Sequence, residues 1–317
     1  MTTQRSGPGR FGDLREVVRI VPVAQVISQA VVGAWRIYHP KRRPPRHTPA
    51  SLGLSAERVW VHGADGVRLA CWFVPRAGAR NVVVLGHGMA RDSGMVMPLV
   101  KVLHEAGYHV ATFDMRNHGE SGDGDWWRGQ SPRYAIDFHH VVRHLMQRPE
   151  LAGAKIACVG FSMGAWTALA VANLEPETVR AVVCDSGPTL DIKATIRRMY
   201  AAGRSRLPVE HRGPILFRIG RQAFTLASLA FLRPEAWPQE FADHSIELLF
   251  IAGAEDPVVR PDDVRDQLRW YPKAELWMVP RANHVTALVV ASEEYGRRVL
   301  GLLEKAFGPP PVEAVGA

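Results

Sequence analysis

Cysteine is nearly absent from this chain. Three occur in 317 residues, Cys71, Cys158 and Cys184, each inside an apolar run. An odd number without regular spacing excludes a disulfide framework and argues against a cysteine-built zinc site. The N-terminal region shows no secretory leader with a small-residue cleavage site, so a reducing, cytoplasmic location is expected. No internal repeat is found. Acidic residues are outnumbered, 31 against 39 lysines and arginines, giving a net charge of +8. The sharpest basic cluster, "HPKRRPPRH" from His39 to His47, lacks interleaved aromatics, and no nucleic-acid motif follows it. A nucleic-acid partner is therefore not expected.

Long apolar runs are also missing. The uncharged stretch Ile20 to Trp35 has sixteen residues and is interrupted by Pro22, Gln25 and Gln29, whereas a full membrane span needs about 20. Two placements stay open. Residues 20–47 could meet a membrane surface, basic residues at the headgroups and the main domain on the cytoplasmic side. Alternatively, the stretch is a soluble helix packed on the domain or on a second subunit. Residues 1–50 are read as this hydrophobic helix plus a basic, proline-rich linker (Pro44 to Pro49), with residues 1–12 loose. A tail from Pro309 to the last residue is expected to be disordered.

What the chain does have, from residue 51 to 308, is alternation. "RVWVHG" and "GVRLACWFVP" flank "GADG" and suit a hairpin. Strands are expected at 81–86, 109–114, 155–160, 179–185, 246–253 and 274–280. Helices are expected at 94–106, 132–147, 163–174, 261–270 and 289–306. This pattern predicts a mainly parallel, doubly wound α/β sheet opened by an antiparallel hairpin. Residues 187–242 break the alternation and are read as a small cap over the ligand crevice.

Gly160-Phe161-Ser162-Met163-Gly164 fits the G-x-S-x-G nucleophile elbow, with a strand before it and a helix after it. Gly160 and Gly164 are needed because side chains there would clash in so tight a turn. Ser162 would be the nucleophile, and a serine hydroxyl needs a base. "GAEDPVV" offers Asp256 and "VPRANHVTAL" offers His284, each just after a strand. Asp256 would orient His284, which would take the Ser162 proton. Glu255 and Asp185 are alternative acids. The backbone N–H groups of Met163 and Met89 would form the oxyanion hole. His87, Asp114, Arg116 and His118 look catalytic in isolation but are read as loop-fixing residues.

Together "LGHGMARDSG", "ATFDMRNHGESG", "VGFSMG", "AGAEDPVV" and "RANH" resemble the α/β-hydrolase superfamily over about residues 58–307. "DGVRLACWFVP" and "VVCDSG" look most like its Bem46-like and serine-aminopeptidase-like groups. Asn117 stands where relatives commonly have glycine, and asparagine tolerates left-handed backbone. The resemblance implies the α/β-hydrolase fold, Ser162, Asp256 and His284 as triad, and no cofactor or metal. The expected activity is hydrolysis of a small-molecule acyl ester or thioester, with a lean toward lipid-like substrates. Peptide or amide hydrolysis, and a catalytically silent binding or scaffold role, are the alternatives.

Overall fold

A computed structural model describes residues 14–124, 128–234 and 246–308, with side chains from residue 22 onward. Its framework is one eight-stranded sheet: β1 (Glu57–His62), β2 (Arg68–Val74), β3 (Val82–Gly86), β4 (His109–Phe113), β5 (Ile156–Phe161), β6 (Val179–Asp185), β7 (Glu247–Gly253) and β8 (Glu275–Val279). The order across it is β1-β2-β4-β3-β5-β6-β7-β8. The β1–β2 hairpin is antiparallel and joins the rest through an antiparallel β2–β4 pair. The pairs from β4 through β3 and on to β8 are parallel. Every residue of β3, β4 and β5 is buried. That explains why these strands read as continuous apolar runs, as parallel strands covered on both faces do.

The helices α2 (Met97–Glu105), α3 (Gln130–Met146), α4 (Met163–Leu174) and α9 (Ser292–Phe307) cover the sheet. Two apolar clusters result, one on each face. Phe113, Phe138 and Cys158 belong to the first, and Leu103, Val159 and Tyr295 to the second. Strand order reverses at β3, because β4 lies on one side of it and β5 on the other. Ligands of open α/β sheets bind at such a switch point, beyond the strands' C-terminal ends. Gly86 pairs with Gly160 at the ends of β3 and β5, so the two loops read as functional emerge side by side.

Several boundaries differ from the sequence reading. The helix expected at 261–270 is a short α7 (Pro261–Arg265) running into a 3-10 turn at Asp266–Arg269. The helix expected at 289–306 is divided into α8 (Ala287–Val290) and α9, with Ala291 in non-helical backbone (φ −138°, ψ 51°) between them. The segment between β6 and β7 forms α5 (Ile192–Ala202) and α6 (Pro214–Leu232). The N-terminal stretch is longer than its apolar part: α1 spans Leu14–Tyr38. Val26, Ala30, Ala34 and Tyr38, four residues apart, form its buried stripe, and the last three belong to the first apolar cluster. The sequence reading set residues 1–50 apart from a domain beginning at 51, yet this helix shares the domain's core. The basic segment after it is also tied down, with Arg42 donating to the Ser121 carbonyl at 2.6 Å and to Asp123 at 2.8 Å. The expected loose residues 1–12 and the tail from Pro309 lie outside the described residues, as do positions 235–242 of the expected cap.

Candidate active site

The turn from β5 into α4 is as tight as the glycines suggested. A Cβ on Gly160 would run into the Gly164 backbone, and one on Gly164 would run into the Gly86 carbonyl. Between them Ser162 has φ 53° and ψ −110°, a conformation that L-residues hold only when their surroundings enforce it. Its N–H donates to the Asp185 carbonyl at 2.8 Å, anchoring the elbow to β6. The serine sits at the N-cap of α4, where the first N–H groups lack intrahelical partners and favour negative charge.

Three side chains from three loops meet there. His284 Nε2 lies 3.0 Å from Ser162 Oγ. Its Nδ1–H donates to Asp256 Oδ2 at 2.8 Å. The other carboxylate oxygen of Asp256 accepts from the Val258 and Val259 N–H groups at 2.8 and 3.0 Å. Asp256 is thus held as an acceptor on both oxygens, and the ring is held in the tautomer that leaves Nε2 free to accept. Of the alternative acids, Glu255 is exposed, and the His284 Nδ1–H is taken by Asp256 instead. Asp185 reaches the histidine loop only indirectly. Its Oδ1 accepts from the Ser186 hydroxyl at 2.8 Å, and that hydroxyl accepts from the Val285 N–H at 2.9 Å.

Asp185 is fully buried. Burial pushes its carboxyl up to about 7 from 3.8, against the opposing hydrogen bond from Ser186. A carboxyl raised in the fold keeps a proton that the unfolded chain releases, so it costs stability as pH rises from about 4 to 7. Asp185→Asn should therefore be more stable than wild type, the gap widening by roughly 2 kcal/mol between pH 5 and pH 8. Urea unfolding at the two pH values tests this. A gap that does not change with pH would refute it.

Both oxyanion-donor candidates face the same space. Met163 opens α4, and Met89 lies in the loop after β3, where its N–H has no hydrogen-bond partner among the described residues. A Cβ on Gly88 would sit 3.5 Å from the Ser162 Cβ, so this loop abuts the elbow. The residues read as loop-fixing hold it in place. His87 Nε2 accepts from the Met115 N–H at 2.9 Å, and His118 Nε2 accepts from the Ala90 N–H at 3.1 Å. Both rings are buried, and burial lowers their pKa values to about 4 and about 3. They therefore stay neutral at physiological pH, as their accepting nitrogens require. Asp114 accepts from the Ser93 and Glu120 N–H groups, and Asn117 takes φ 66° as its glycine-like position demands.

Above Ser162 lies an apolar cavity of about 420 Å³. Trp166, Ile192, Met199 and Val259 line it, together with Ile37 and Tyr38 of α1 and Leu232 of α6. The sequence reading missed the α1 contribution. The only local signal was an aromatic, Tyr38, at the end of the apolar stretch.

The esterase Pf2001 of Pyrococcus furiosus superposes with a TM-score of 0.70 at 26% identity, over 86% of this chain and 99% of that one. The chain belongs to the α/β-hydrolase superfamily. It is an esterase- or lipase-like serine hydrolase of that superfamily. The family model described as "Serine aminopeptidase, S33" matches residues 77–212. Among curated α/β-hydrolases, the chain is similar to the alpha/beta hydrolase domain-containing protein WAV2 of Arabidopsis thaliana, 22% identical over 81% of this chain and 82% of that protein. It is also similar to the sn-1-specific diacylglycerol lipase ABHD11 of Mus musculus, 23% identical over 64% of this chain and 74% of that one.

Proposed function

We propose that this hydrolase cleaves carboxylic esters or thioesters with an apolar acyl group through an acyl-serine intermediate. The observation that carries the reading is the hydrogen-bonded chain Ser162–His284–Asp256 opening into an apolar cavity. Ser162 Oγ attacks the acyl carbon while His284 Nε2 takes its proton. Asp256 steadies the imidazolium, and the Met163 and Met89 N–H groups receive the oxyanion. The carbonyl re-forms, the C–O or C–S bond breaks, and His284 returns the proton to the leaving group. Water, deprotonated by His284, then attacks the acyl-serine and regenerates the hydroxyl.

The aminopeptidase description of the matching family favours a second reading, amide cleavage next to a free amine. The cavity argues against it. No carboxylate lines it among the described residues, so a substrate ammonium would be desolvated without a counter-charge. The sn-1 ester named for the mouse relative and the esterase named for the archaeal structure agree with the apolar lining. The cavity lies toward the small end of ligand sites, which run from about 300 to 1,000 Å³. With p-nitrophenyl esters, activity should rise from acetate to a medium-chain maximum and fall by palmitate, and a fluorophosphonate should label Ser162 stoichiometrically. A clear preference for acetate would remove the apolar acyl site. Absence of labelling would favour the silent scaffold reading.

A further inference from the structure

The buried stripe of α1 leaves its other side in solvent. Ile27, Val31, Val32 and Trp35 are each 39–42% exposed. Helix α6 lies alongside and runs the same way: Val26 sits against Gly220, and Tyr38 and Trp35 both meet Phe231 edge-on. It too exposes large apolar side chains, Ile215 at 73% and Leu226 at 57%. Between the helices runs an open groove of about 1,120 Å³ whose walls include Ile27, Val31, Ile215 and Leu226. Among the described residues, its charged lining residues are all arginines, Arg197, Arg218 and Arg221, with no carboxylate. None of the three makes an ion pair among the described residues, whereas Arg58, Arg116, Arg148 and Arg198 are all paired.

From these observations we infer that the α1–α6 face docks on a lipid bilayer bearing anionic headgroups. Apolar side chains enter the acyl boundary, and the three arginines meet phosphate oxygens at its edge. The charge pattern selects this occupant over a second copy of the chain. A twofold contact through the same face would bring unpaired arginines against unpaired arginines. Docking also has a consequence for the cavity. Tyr38 and Leu232, at the C-terminal ends of the two helices, form part of its wall. Val31 in the groove lies only about 10 Å of helix before Tyr38. A docked face therefore holds the cavity close to the headgroup layer.

Binding needs no turnover, so its test is independent of the acyl-transfer reading. The full chain is floated with vesicles of phosphatidylcholine alone and of phosphatidylcholine with phosphatidylglycerol. Wild type should bind the anionic vesicles on the order of 100-fold more tightly than the neutral ones, as three arginines near a charged surface would provide. The same factor should be lost in Arg197→Gln/Arg218→Gln/Arg221→Gln, while Ile215→Gln/Leu226→Gln should not bind at all. Both variants alter exposed or half-exposed side chains outside the cavity and should keep wild-type melting temperatures. Equal binding to both vesicles, no binding to either, or binding unchanged in the two variants would overturn the inference. So would a stable dimer in solution that Ile215→Gln/Leu226→Gln separates.

Discussion

Ser162→Ala lowers kcat/KM for ester hydrolysis by roughly four to six orders of magnitude, with the fold unchanged. The substitution removes one atom, and among the described residues that atom makes one side-chain contact, the 3.0 Å hydrogen bond that the Ser162 hydroxyl donates to His284 Nε2. The backbone at φ 53° is enforced by neighbours that remain: the Asp185 carbonyl and the close approach of Gly160, Gly164 and Gly86. The proposed oxyanion donors and the cavity also remain, so a small residual rate over water is expected. Steady-state kinetics on freshly purified wild type and variant decide the matter. Activity within tenfold of wild type would mean that another group performs the chemistry.

A comparably large effect, on stability this time, is expected at Asp137→Ala. Arg116 is wholly buried and is held by a two-pronged contact, Nε to Asp137 Oδ2 at 2.6 Å and Nη2 to Oδ1 at 2.7 Å. Asp137 also accepts from the Ala64 N–H at 2.8 Å, which fastens the β1–β2 turn to α3. Removing the carboxylate leaves a buried guanidinium without its main partner, a change that costs about 3–5 kcal/mol. Asp65, partly exposed and 3.5 Å away, offers only weak compensation. The denaturation midpoint should drop with an unchanged slope. Exchanging both partners for apolar residues, Arg116→Met/Asp137→Leu, should restore much of the loss, because it removes the stranded charge. A loss below about 1 kcal/mol in the single variant would show that the pair is not what secures this corner. The corner matters to the site, since the next turn of this loop carries His118, whose ring holds Ala90 beside Met89.

The parts of this arrangement that were legible in sequence are those that local physics forces. A serine between Gly160 and Gly164 is legible because only glycine fits where two backbones touch. Asp256 and His284 are legible because each follows a buried apolar strand by a few residues, and parallel strands present those loops on one edge. The parts that were not legible depend on which surfaces find each other. Nothing in the spacing of Ile37 and Tyr38 says that they close a cavity beside a serine more than a hundred positions later. The division between α8 and α9 at Ala291 and the 3-10 turn after Arg265 likewise interrupt windows whose apolar spacing alone reads as one helix each. Uncharged helix and membrane segment also share one signature. Only the four-residue rhythm of Val26, Ala30, Ala34 and Tyr38 against α6 separates the packed side of α1 from its open side.

The cavity's mixed parentage has a further meaning. The reacting groups ride on loops that the sheet fixes, while much of the wall that meets an acyl chain comes from α1, α5 and α6, outside the strand framework. Substrate preference and catalytic competence are thus inherited through different segments of the polypeptide. Drift in the first forty residues or in the β6–β7 insertion can retune which chains are accepted while the elbow stays untouched. A lineage built on this plan can diversify its diet without reinventing its chemistry.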